Sequence, residues 1–229
     1  MKTSPRKQFF TLIEIMVVIV IAAIMFGIGI PAFSTMIQGN TMTQAIRMTT
    51  AKIKAARAYA VVNKCKVALL LPEKLANTKM NSQSWSAYRV CVVDDSNAFV
   101  SWIDGENWQS LPLGVIRAGD KKEPDKGNPN SLTNGNTVTN VPFDNPDNTP
   151  ITKEIPAIIF TKNGKIEPTN PPSIGLWYAR VVIVKEDNEE DNAYLTVWTK
   201  PREDDRASIT RIEINPYSVK TTIKDPDIN

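Results

Sequence analysis

Residues 10–30 read FTLIEIMVVIVIAAIMFGIGI, and this run of 21 positions with one charge limits the chain more than any other feature. As a helix it extends about 31 Å, the thickness of a bilayer core. Lys2, Arg6 and Lys7 precede it. That asymmetry predicts a short cytoplasmic arm over 1–9, a single pass through the bacterial inner membrane, and a head outside it, in the periplasm. Glu14 is the exception within the run. A carboxylate in an apolar span costs about 2.5–3.5 kcal/mol at mid-helix on insertion scales, and less near an end. A secretory signal, cleavable or anchoring, gains nothing from it. A helix that docks beside another subunit does gain, because an amine or backbone donor satisfies the charge.

The formal charge of +3 belongs to the leader. Beyond residue 9 there remain 24 basic against 24 acidic residues, so the rest of the chain carries no basic excess and nucleic acid is not an expected partner. Histidine is absent, which removes the commonest general base and the commonest transition-metal ligand. No Gly-rich phosphate loop, nucleophile elbow, paired zinc ligands or Ser/His/Asp set occurs. The reading is therefore of a non-enzyme with no cofactor and no metal. Cys65 and Cys91 permit one disulfide in an exported domain, or else two buried thiols in adjacent strands.

Past the apolar run, Pro31 lacks an amide donor and kinks the helix rather than ending it. Residues 41–62 continue the helical period, with Met48, Ala51, Ala55, Ala58 and Val62 as the expected apolar stripe. Continuous helix over 10–63 would be roughly 80 Å long. The period then changes. Residues 66–71, 88–93 and 98–103 read as short strands, and 74–86 as a loop. Residues 120–150, dense in Asn, Asp, Pro, Gly and Thr, read as a long surface loop. Residues 158–160 and 166 flank Lys162-Asn163-Gly164-Lys165, a hairpin signal. Strands are expected over 176–185 and 193–199, joined by the acidic loop 186–191, and again over 208–214 and 218–223. The expected fold class is α+β: a long N-terminal helix, one half in the membrane and one half periplasmic, packed on a mainly antiparallel β head.

The order Phe10-Thr11-Leu12-Ile13-Glu14, with basic residues before it and Pro31-Ala32 after it, resembles the type III signal of type IV pilins and type II secretion pseudopilins. The resemblance implies that a prepilin peptidase cuts between Phe9 and Phe10 and methylates the new amino group. It also implies that Glu14 pairs with the amino terminus of a neighbouring subunit during assembly. Where that family has Gly before the cut, this chain has Phe9. The helix end over 54–62 running into 66–70, together with Phe160-Thr161-Lys162-Asn163-Gly164 and Arg211-Ile212-Glu213-Ile214, is similar to the H-type pseudopilins and their minor-pilin relatives. The organisation expected is a leader (1–9), a transmembrane and filament-core helix (10–30), the periplasmic half of the helix (31–63) and a β-rich head (64–229).

The function this implies is that of a minor pseudopilin, a structural subunit of a type II secretion filament that assists protein export. Its partners would be other pseudopilins or pilins through the N-terminal helix, the prepilin peptidase and the inner membrane. Two alternatives stay open: a minor pilin of a type IV pilus serving adhesion, motility or DNA uptake, and a membrane-anchored binding module that never polymerises. Glu186, Asp187, Glu189, Glu190 and Asp191 lack the ligand spacing and turn Gly of a calcium loop and read as a solvated hairpin tip, as do Glu203, Asp204 and Asp205. Trp85, Trp102, Trp108, Trp177 and Trp198 read first as core, with a ligand-stacking surface as the alternative.

Overall fold

The computed structural model describes residues 12–73, 75, 78, 80, 83–118, 132–144, 148–167, 170–178, 180–183, 194–197 and 210–224. The chain divides into two compact units, Met1–Asn40 and Thr41–Asn229. Helical backbone occupies α1 (Leu12–Asn63), whose described side chains fall into two stretches, 12–25 and 40–63.

The expected long N-terminal helix packed on a head is corrected here. The second stretch packs on strands through one face, and patterning is the cause. Met42, Ala45, Thr49, Ile53, Ala56 and Ala60 are buried at spacings of three and four residues, which places them on one face. Residues 12–25 are apolar on every side and present no such face. The expected stripe is also rotated: Ala51, Ala55, Ala58 and Val62 are exposed. Thr49 and Lys52 occupy the inward face instead, and Lys52 is accommodated by an ion pair with Glu106.

The single-pass placement in the inner membrane is corrected as well. Among the described residues no helix is long and apolar enough to cross a membrane.

The strands are β1 (Lys66–Leu70), β2 (Ala87–Val93), β3 (Phe99–Trp102), β4 (Gln109–Ser110), β5 (Val115–Ala118), β6 (Leu132–Thr133), β7 (Asn136–Asp144), β8 (Pro150–Phe160), β9 (Ile166–Glu167), β10 (Ser173–Tyr178), β11 (Arg180–Ile183), β12 (Tyr194–Val197), β13 (Thr210–Ile214) and β14 (Thr221–Lys224). One sheet runs β3-β2-β1-β8-β7, with β4 added to β2 and β9 to β8. A second runs β14-β13-β10-β5, with β6 added to β10, and β11 pairs with β12 in a ribbon. The pairings within these sheets are antiparallel, as in Val67 opposite Val92 and Phe160.

Alternation along the first sheet separates two cores. Val67, Leu69, Tyr88, Val90, Ile158 and Phe160 face the helix, where they join Ile174, Leu176, Ile212 and Ile214 of the second sheet in one cluster. Ala68, Leu70, Cys91, Val93, Ile155, Ala157 and Ile159 point the other way, into a second cluster with Val138, Val141 and Phe143 of β7.

The region expected to be a loop over 120–150 therefore contains β7, and this too is a correction. Residues 119–131 and 145–147 lie outside the described residues. β7 carries few apolar residues, but Val138, Val141 and Phe143 all point inward. A register shift between Val138 and Val141, with Asn140 at φ 59°, bends the strand as a bulge does. The bend brings the sheet's two edges together: the Thr139 N–H donates to the Asn97 carbonyl at 3.2 Å, beside a parallel bridge between Ala98 and Thr139. The first sheet thus curls around the second cluster.

The expected hairpin after Phe160 is present, with Phe160 opposite Ile166. The Gly164 N–H donates to the Thr161 carbonyl at 2.7 Å, and Gly164 has φ +74°. A Cβ there would lie 2.7 Å from Val61 Cγ2 and 3.0 Å from Arg57 Nε, so the turn lies directly on the helix. Gly164→Ala combines a left-handed backbone with a clash and is expected to destabilise the head by about 2–4 kcal/mol, read as a lowered urea midpoint with unchanged slope.

Candidate functional site

Two features of the described chain are candidates for function: the apolar stretch 12–25 and a cleft at one end of the curled sheet. In the first, Leu12, Ile13, Ile15, Met16, Val17, Val18, Ile19, Val20, Ile21, Ile24 and Met25 are each between 52% and 78% exposed. Exposed single apolar residues are ordinary, but an uninterrupted patch on this scale marks a contact surface. Glu14 lies in the first turn of α1, where a carboxylate interacts favourably with the helix dipole. Phe9 and Phe10, the expected processing positions, lie outside the described residues. Pro31 falls within helical backbone.

Cys65 and Cys91 are both free, which corrects the possible disulfide between them. Cys91 pairs across the sheet with Ala68, three residues from Cys65. That offset is about 10 Å of strand, and odd-numbered steps reverse the face. Cys65 accordingly packs against the helix-side cluster while Cys91 lies in the opposite one. Such a pair cannot meet disulfide geometry.

Burial pushes the Cys91 thiol from its ordinary 9.0 up to about 12. The folded value lies above the unfolded one, so the neutral thiol's contribution is intact below pH 9 and is lost as pH rises toward 12. Cys91→Ala removes that dependence. Between pH 9 and 11 its unfolding free energy should fall less steeply than the parent's, by up to about 1.4 kcal/mol per pH unit, as read from urea titrations at several pH values.

The cleft is built from the curled sheet's far face. Trp102 of β3 lies edge-on to Phe99 (4.7 Å between centroids) and to Trp108 (5.7 Å). Trp108 stacks on Phe143 of β7 at 5.4 Å. The Arg89 guanidinium of β2 sits 3.7 Å from the centre of the Trp102 ring, a cation–π contact. Burial holds Arg89 below its ordinary basicity. Arg89, Trp102, Trp108 and Phe143, with Met80, Pro142, Asp144 and Pro150, line a space of about 320 Å³.

Of the five tryptophans, Trp85 is core at 2% exposure, and Trp102 and Trp108 line the cleft. Trp177 belongs to β10 with its side chain outside the described residues, and Trp198 lies wholly outside them. Residues 186–191 and 203–205, the acidic runs, also lie outside. Among the described residues no group of three or more Cys, Asp or Glu side chains could hold a metal ion. Sequence reasoning missed Arg89 and Phe143 as cleft residues. The signal available was an arginine alternating in phase with Cys91 inside a β-branched run. No family model, curated protein or solved structure matches the chain.

Proposed function

We propose that the chain is a structural subunit of a pilin-like filament, a minor pseudopilin of a type II secretion apparatus that assists protein export. The observation that carries this reading is the stretch 12–25, with eleven large apolar side chains exposed on all sides of the helix. Burial against equivalent helices of other subunits removes that surface from water at about 25 cal/mol per Å². A helix that is apolar all round needs neighbours on all sides, which a filament core supplies and a single docking partner does not. The resemblance of Phe10-Thr11-Leu12-Ile13-Glu14 to the type III signal gives Glu14 the role of setting register against a neighbour's amino group. The neutral charge balance beyond residue 9 favours a secretion filament over one that handles nucleic acid.

Chromosomal deletion of the coding sequence tests the choice of machine. Folded secreted enzymes are expected to accumulate inside the cell while surface pili remain. Loss of pili with export intact would assign the chain to a pilus instead.

A further inference from the structure

The cleft at the end of the curled sheet is unrelated to helix assembly and does not depend on the filament reading. Three aromatic rings, of Trp102, Trp108 and Phe143, supply apolar walls, and both tryptophans remain partly exposed. The mouth of a curled or closed sheet is a favoured ligand site. Among the described residues the Arg89 Nε is buried with no hydrogen-bond acceptor. The Arg89 Cζ lies over the Trp102 ring, and a guanidinium held against a ring face can still present N–H donors to a planar, bidentate acceptor. The volume of about 320 Å³ lies at the small end of ligand cavities. It suits one large side chain with its charged end group rather than a long segment. Asp144, on the exposed rim, disfavours a second negative charge on the ligand.

We propose that this cleft binds an apolar monocarboxylate, its hydrophobic body against the wall formed by the Trp102, Trp108 and Phe143 rings and its carboxylate on the Arg89 guanidinium. The same chemistry is offered by a free aromatic acid and by the carboxyl terminus of a peptide ending in a large apolar residue. Isothermal titration calorimetry on the full chain separates them. The probes are 3-phenylpropionate, a short peptide ending in phenylalanine with a free carboxyl group, and the same peptide as its carboxamide.

Both acids are expected to bind saturably, with the carboxamide at least about tenfold weaker because the charge-assisted bonds to Arg89 are lost. Tighter binding of the peptide acid than of phenylpropionate assigns the site to a chain terminus, and equal binding assigns it to a free acid. Arg89→Gln should weaken both acids by about the same tenfold factor and leave the carboxamide unchanged. No saturable heat with either acid, or a carboxamide that binds as well as the acid, would overturn the proposal. The acid–carboxamide comparison uses the unaltered protein, so it decides the matter even if Arg89→Gln does not fold.

Discussion

Arg117→Ala is expected to cost about 3–5 kcal/mol of stability, the largest loss from any single side chain of the head outside its apolar clusters. Arg117 lies in β5 at 1% exposure. Its Nη1 donates to the Ala87 carbonyl at 2.6 Å and its Nη2 to the Pro72 carbonyl. The backbone adds a bond from the Arg117 N–H to the Trp85 carbonyl at 2.9 Å. One side chain thus ties the second sheet to the segment after β1 and to the start of β2. Burial holds its guanidinium well below its ordinary value, so the charge is costly to bury; the nearby Glu73 carboxylate and the two carbonyls oppose that cost. Alanine leaves a cavity and withdraws both donors, and the costs add. Methionine refills much of the space but withdraws the same two donors, so Arg117→Met should recover only the cavity part of the loss, about 1–2 kcal/mol. Thermal unfolding checks both. For a head of this size the alanine variant should melt roughly 6–20 °C lower.

A single carboxylate in the middle of the apolar stretch should abolish assembly while leaving the head intact. Val20 is 57% exposed, so Val20→Asp meets no penalty in the isolated chain beyond a small loss of helix propensity. In a filament core the same residue is surrounded by apolar neighbours. An unpaired buried carboxylate there costs several kcal/mol, and association should fall by at least about a hundredfold. Residues 12–25 belong to the unit Met1–Asn40 and not to Thr41–Asn229. The melting temperature of the head should therefore stay within about 1 °C of the parent's. Assembly is read from the fraction of protein recovered in sedimenting filaments.

How much of this could be read from the sequence depends on where each signal lies. β1 and β2 were legible because 66–71 and 88–93 are short, mostly apolar runs, and the turn before Ile166 because Asn163-Gly164 carries its own backbone chemistry. β7 was not legible. Asn, Thr and Pro dominate 136–144, and its strand character comes from pairing with β8 and from three inward residues that only the curled sheet makes meaningful. The helix face was misplaced by about one residue. An alanine stripe outscores one interrupted by Thr49 and Lys52, and only the ion pair with Glu106 shows why a lysine points inward. The two cysteines illustrate the limit of counting, since the strand register decides that they face apart. Arg117 and the cleft were beyond reach for a common reason: each unites residues tens of positions apart. Arg117 bonds carbonyls 30 and 45 positions earlier in the chain. The membrane placement and the long packed helix share one weakness: an apolar run shows that a helix has surface to bury, and not what buries it.

The most direct test of the central claim is a photo-crosslinking amino acid placed at Val20 in the full chain, expressed in its own cells, with the adducts identified by mass spectrometry. Packing in a filament core predicts adducts to the apolar amino-terminal helix of a second subunit, lost when Val17→Asp is introduced alongside. Adducts confined to lipid, or to the chain's own head, would contradict it.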